Sequence, residues 1–194
     1  MTESVHSTID IALVHFPVYN KSGDIVTSSV TTLDVHDISR IGRTYGVGTF
    51  YVVTPLETQQ KLVHRMVDHW LKGYGSEYNP TRKEALFNTR VVSVLDDAVA
   101  DIAQRRGAKP RTVIPDAKPF PQSRSYREVR EALNEQHPHL LVFGTGWGLE
   151  KGILERADMV LAPIDGLHGY NHLPVRAAIA IVLDRLLGRE MRAE

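Results

Sequence analysis

The sequence predicts an α/β protein: a mostly parallel sheet with helices on both faces. Three observations predict it. Short, almost wholly apolar runs recur along the chain, as in Ile9-Asp10-Ile11-Ala12-Leu13-Val14 and Leu140-Leu141-Val142-Phe143. Segments with helical spacing separate them. Strand and helix alternate throughout, which argues for a parallel sheet covered by helices on both faces.

Ile9 to Phe16 reads as a buried strand closed by Pro17, and residues 18 to 31 as a polar loop around Gly23-Asp24. Thr32 is placed to cap a helix to about Tyr45, stopped by Gly46. Thr49 to Val53 is a second strand. Pro55 opens a helix to about Leu71 with Leu56, Val63, Met66, Val67 and Trp70 inward. After Gly73, Gly75 and Asn79-Pro80, a short helix covers 80 to 87. Thr89 to Val94 is a third strand, and Asp96 caps a helix to Arg106. Thr112 to Ile114 is a fourth strand. A proline bend leads to a helix over about 125 to 135. His139 to Phe143 and Val160-Leu161 are the last strands, and Pro174 starts a helix to Leu187. That helix is apolar on most sides, so it belongs in the core or against a second subunit. No linker divides the chain, so residues 1 to 194 are expected to form one domain.

Composition excludes several chemistries. There is no cysteine, hence no disulfide framework, cysteine nucleophile or cysteine zinc site. The nine histidines lack metal-ligand spacing, and no metal is expected. No apolar stretch approaches ~18 residues, so no membrane span is expected, and the expected location is the cytoplasm. Net charge is zero, but its distribution is not even. Residues 105 to 130 hold eight bases against two acids. Of these Arg105, Arg106, Arg124 and Arg127, with Arg43, are candidates for RNA phosphate contacts. A solvated helix face and loop accounts for the same charges equally well. Trp70, Tyr74 and Tyr78 are interleaved with Lys72, Arg82 and Lys83, which fits stacking of unpaired RNA bases or an ordinary helical connection.

The C-terminal quarter holds the candidate ligand site. Phe143-Gly144-Thr145-Gly146-Trp147-Gly148-Leu149 follows a strand. Ala162, Pro163, Ile164 and Gly166 follow the next. Tyr170-Asn171-His172-Leu173 leads into the last helix. The first turn is neither a phosphate loop nor the dinucleotide fingerprint, because its spacing is G-x-G-x-G. Low bulk at strand ends lets backbone approach a ligand. Such turns suit a flat adenine held through main-chain hydrogen bonds, with Trp147 as a wall. A second motif runs through Asp34, His36, Asp37, Arg40 and Arg43 on the first long helix. His36, Arg40 and Arg43 share one face, either a solvated stripe or a cationic surface beside the site.

Taken together, Leu-Asp-Val-His-Asp-Ile-Ser-Arg, Arg-Thr-Tyr-Gly-Val, Phe-Gly-Thr-Gly-Trp-Gly-Leu and Tyr-Asn-His-Leu-Pro-Val-Arg resemble the SPOUT class of S-adenosylmethionine-dependent RNA methyltransferases. More narrowly they resemble a small bacterial group related to the tRNA guanine-N1 methyltransferases. The resemblance implies a C-terminal trefoil knot and a homodimer with the final helix near its interface. It implies S-adenosyl-L-methionine in the three turns and a tRNA or rRNA substrate. It also implies a functional role for Arg40; where the acceptor is a base nitrogen, Asp34 or Asp37 is the candidate to take its proton. Asp34 and His36 stand where the ribose-methylating branch has Asn and Gly, so the residues leave base and ribose chemistry open. A non-catalytic RNA-binding or assembly module on the same fold is the second reading. An enzyme using another adenine nucleotide is the third, opposed by the lack of a phosphate loop.

Overall fold

The computed structural model describes residues 8–189. Its sheet is built from β1 (Ile9–Val14), β4 (Phe50–Val53), β5 (Thr89–Val92), β6 (Arg111–Pro115), β7 (Ser123–Arg124), β8 (His139–Gly144) and β9 (Met159–Leu161). The spatial order is β5-β4-β1-β8-β6-β9-β7, and every pairing is parallel. A two-stranded antiparallel hairpin, β2 (Val18–Tyr19) and β3 (Ile25–Val26), stands apart from it. The helices are α1 (Thr32–Thr44), α2 (Glu57–Leu71), α3 (Gly75–Tyr78), α4 (Pro80–Leu86), α5 (Leu95–Arg106), α6 (Tyr126–Leu133), α7 (Lys151–Glu155) and α8 (Val175–Leu187).

Parallel strands must be covered on both faces, and the side chains alternate accordingly. Ile9, Ile11 and Leu13 of β1 face a core completed by α1, α2, α4, α6 and α8. Ala12 and Val14 face a second core closed by α5, α7 and Val18 of the hairpin. Part of the apolar girth of α8 is buried inside the protomer, while Ala177, Ala178, Ala180 and Ile181 are only half-buried. Ile179, Val182, Leu183 and Leu186 are buried in the first core, each worth about 1.5–3 kcal/mol.

Two strands are inserted late. β8 lies between β1 and β6, and β9 lies between β6 and β7, although both come after those neighbours in the chain. The C-terminal ends of the five strands from β1 to β7 therefore share one edge. The loops after them, including all three turns of the C-terminal quarter, emerge together there.

Local chemistry moves several boundaries. Thr31, not Thr32, caps α1, its hydroxyl accepting from Asp34 N–H. α2 begins at Glu57, and Leu56 at its cap position is exposed rather than inward. Asp96 is not the cap of α5. There the Asp97 carboxylate accepts from the Val94 N–H at 3.2 Å. Ser125 caps α6 with Glu128 reaching back, a reciprocal capping box. The hairpin, α3, α7 and β7 are additions to the sequence-based layout.

Candidate functional site

The glycine turn after β8 is moulded onto the hairpin. Trp147 N–H donates to Tyr19 O, Tyr19 N–H to Gly148 O, and Glu150 N–H to Pro17 O, at 2.9, 2.9 and 3.2 Å. The hairpin is itself held by Asn20, whose Oδ1 accepts from the N–H groups of Ser22 and Asp24. Gly146 sits at φ +59°, and a Cβ there would lie 2.8 Å from Tyr19 O. Gly146→Ala therefore combines left-handed strain with a collision against fixed backbone. It is expected to destabilise the fold by about 2 kcal/mol or more. Urea unfolding checks this, and an unchanged midpoint refutes it. Trp147 is 64% exposed at the tip, the position expected of a wall beside a ligand.

The other two turns are anchored on the opposite side of the strand edge. Ala162 N–H donates to Arg124 O, and the Asn171 side chain donates to Ala117 O at 2.6 Å. Among the described residues, no hydrogen bond joins these turns directly to Gly144–Leu149. β8 and β9 are two strand spacings apart, about 10 Å. Two separate sets of polar contacts hold the two sides. Thr145 Oγ1 bonds Val14 O and Ser28 Oγ, and Ser28 Oγ meets His15 Nδ1 at 3.0 Å. No hydrogen bond joins that imidazole to Asp34 among the described residues; the Asp34 charge only opposes the effect of burial on it. Asp34 accepts from Arg176, in the first turn of α8, at 2.7 Å. The first turn is thus fastened to β1, and the lead-in to α8 is fastened to α1.

These contacts revise the roles expected for the acids of α1. Asp34 is buried, accepts from Thr31 Oγ1 at 2.5 Å, and is paired with Arg176. Asp37 takes the Arg176 Nε at 3.2 Å. One guanidinium clamps both, so Asp34 is engaged rather than free to accept a proton. Arg40 is different. It lies on the outer face of α1, exposed, and no ion pair engages it among the described residues. Arg43 pairs with Glu84, and His36 packs edge-on against Trp70.

His15, Ser28 and Arg176 were not singled out from the sequence. His15 ends an otherwise apolar strand, and that was its one visible signal. It is fully buried, its Nε2 has no partner, and burial pushes its pKa down from 6.5 to about 4. The native protein therefore refuses a proton that the unfolded chain takes up below pH 6.5. Stability is lost as pH falls from 6.5 towards 4, by about 2 kcal/mol at pH 5. Urea unfolding at pH 7 and pH 5 checks this. Wild type is expected to lose that amount relative to His15→Asn between the two, and an equal difference at both refutes it.

The candidate RNA-binding arginines divide. Arg105 and Arg106 pair with the buried Asp10, and Arg105 also with Asp101 and the Tyr51 hydroxyl. They serve an internal network near the start of β1. Burial raises the pKa of Asp10, and Arg106 then Arg105 oppose that. Arg124 and Arg127 are exposed, without ion pairs among the described residues, beside the Ala162 turn. The aromatic stretch divides too. Trp70 packs on the core under the Arg82 guanidinium, whereas Tyr74 and Tyr78 are exposed and stacked on each other.

The residues present fit a nucleoside ligand. Among the described residues, nothing accepts from the N–H groups of Ile164, Gly166, Tyr170 or His172. α8 begins without a side-chain cap, leaving its first donors open as well. Gly148 and Gly169 have no atom within 4 Å of a would-be Cβ. No cluster of His, Asp or Glu among the described residues has the makings of a metal site, and no helix there is long and apolar enough to cross a membrane.

The fold is that of the SPOUT methylases. The TrmH/SpoU tRNA modifying enzyme of Aquifex aeolicus superposes with a TM-score of 0.54 at 17% identity, covering 93% of this chain and 74% of that one. TrmJ from Zymomonas mobilis gives 0.60 at 16%, covering 93% and 69%. An AdoMet-bound rRNA methyltransferase from Sinorhizobium meliloti gives 0.54 at 13%, covering 92% and 55%. A model of a SAM-dependent RNA methyltransferase family matches residues 8–188, and the chain belongs to that family. Among its relatives is a tRNA (guanine-N(1)-)-methyltransferase of Oleidesulfovibrio alaskensis, 46% identical over 91% of this chain. A protein of the same name from Nitratidesulfovibrio vulgaris is 48% identical over the same share. The chain spans 41% of the length of either. An uncharacterized protein of Aquifex aeolicus is 38% identical over 95% of this chain and 91% of its own.

Proposed function

We propose that the chain transfers a methyl group from S-adenosyl-L-methionine to structured RNA, a tRNA or rRNA, as a cytoplasmic homodimer of one domain over residues 1 to 194. The observation that carries this reading is the shared strand edge. There Thr145 and Ser28 tie the glycine turn to His15 at the end of β1, and Asp34 and Arg176 tie the start of α8 to α1. The open N–H groups of Ile164, Gly166 and Tyr170 and the lead-in to α8 would hold the adenosyl group, with Trp147 as its wall. Phe143, Gly144, Thr145, Gly146, Gly148 and Leu149 would line one side. Ala162, Pro163, Asn171, His172 and Leu173 would line the other.

The cofactor supplies an activated methyl on sulfur, so the protein mainly aligns donor and acceptor, worth roughly 7–11 kcal/mol. The nucleophilic oxygen or nitrogen of the RNA takes the methyl and loses its proton. Arg40, exposed and unpaired, would steady a phosphate or the developing negative charge. Asp37, which keeps an exposed carboxylate edge beside Arg176, is the better placed of the two acids to receive the proton. Arg124 and Arg127 would contact RNA phosphates close to the turns. Threading of the segment after β9 past the loop of residues 116 to 122 would form a trefoil knot, a reading supported by the Asn171–Ala117 and Ala162–Arg124 bonds.

Titration calorimetry with S-adenosylmethionine, and incubation of the protein with labelled cofactor and RNA from a deletion strain, test the proposal. Saturable binding and label at one nucleotide are expected. Binding without any label in RNA would favour a non-catalytic RNA-binding module. Absence of binding would remove the cofactor from the account. Light scattering tests the dimer.

A further inference from the structure

A groove between α1 and α4 lies outside the site described above. It is lined by Arg43, Pro80, Lys83, Glu84, Phe87 and Asn88 and encloses about 360 Å³. We propose that this groove seats an unpaired nucleotide of the RNA, its base stacked on Phe87 and its phosphate at Lys83. The inference rests on the RNA reading and extends it to a second contact region.

Four observations carry it. Phe87 directly follows α4 and is 70% exposed, lining the groove with an aromatic face open to a ligand. The electrostatics favour an anion. Arg43 neutralises Glu84 across the groove, and Lys83 has no ion-pair partner among the described residues. The volume falls in the range of small-ligand clefts, roughly 300–1,000 Å³, large enough for one nucleotide. Finally, the groove adjoins the outer face of α1. Arg40 and Arg43 are three residues apart there, so a strand lying along the groove would run towards Arg40. The stacked and exposed Tyr74 and Tyr78 belong to the segment just before α4, a further aromatic surface on the same run of chain.

Base stacking on an aromatic ring tolerates any base, so this groove would strengthen RNA binding without setting its sequence. A duplex, whose bases are already stacked, would gain nothing from Phe87.

The test compares wild type, Phe87→Ala, Phe87→Trp and Lys83→Ala for binding to an RNA hairpin with an unpaired loop and to a blunt duplex. Phe87→Ala is expected to weaken hairpin binding roughly tenfold and duplex binding hardly at all, with Phe87→Trp restoring it. Lys83→Ala is expected to lower the salt dependence by about one phosphate contact. Cofactor affinity and thermal melting should stay unchanged in all three variants. If wild type binds and methylates RNA while the variants match it, the inference fails and the methyltransferase reading survives. If wild type binds no RNA, both fail. If Phe87→Ala instead dissociates a dimer, a second copy of the chain covers the groove and the inference fails.

Discussion

Arg40→Ala is expected to lower methyl incorporation into RNA by about 100-fold or more, the usual effect of removing one preorganised charge-stabilising group. Cofactor affinity, measured by calorimetry, should change little. The physical basis is the contrast along α1. Arg43 is committed to Glu84 and Asp34 to Arg176, and Asp37 shares that guanidinium with its carboxylate partly exposed, but Arg40 stands exposed and unengaged. A cation that supports no neighbour is available to a phosphate or an oxyanion. Because it holds nothing in the fold, its loss should leave the melting temperature in place. Arg40→Lys should recover only part of the rate, since a point charge lacks the planar fork. Unchanged turnover in Arg40→Ala would remove this residue from the mechanism.

Arg176→Ala is expected to cost about 2 kcal/mol of stability and to weaken cofactor binding as well. Breaking a fully buried pair costs roughly 3–5 kcal/mol. The figure is reduced here because Arg176 is partly exposed and Asp34 keeps its bond from Thr31. What distinguishes this residue is its position. It fixes the first turn of α8 to the first turn of α1, so the Tyr170–Leu173 segment that feeds α8 loses its far anchor. Adding Asp34→Asn to Arg176→Ala should recover part of the stability by removing the stranded charge, but should not recover cofactor affinity. Urea unfolding and calorimetry on the two variants separate these effects. Wild-type cofactor affinity in Arg176→Ala would show that the clamp serves stability alone.

Much of the layout was legible because buried parallel strands are written as continuous apolar runs. β1, β4, β8 and β9 emerge within two residues of their expected limits, and α8 was foretold by its apolar girth. The missed elements carry no such signal. β2 and β3 have two residues each, too few for any period. β7 is Ser123-Arg124, an edge pair whose polar side chains meet no requirement for burial. α7 is a five-residue helix soon after the glycine turn, too short to show a helical period. The turns of the site were visible as low-bulk segments at strand ends. Their cross-links were not, because Arg176 and Asp34 are 142 residues apart and Thr145 and Ser28 are 117 apart. Charge density misled for a related reason. Arg105 and Arg106 look like a basic surface until the fold returns α5 to the buried Asp10.

The insertion of β8 between β1 and β6 dictates when this protein becomes native during synthesis. With only the first 135 residues made, β1 and β6 have no direct partner in each other, and two apolar strand edges stay unzipped. The ribosome must deliver residues 139 to 144, and then 159 to 161, before either gap is filled. Non-local pairing of this kind is slow and exposes sticky intermediates. A nascent chain stalled before Leu140 should therefore be protease-sensitive and a client for chaperones.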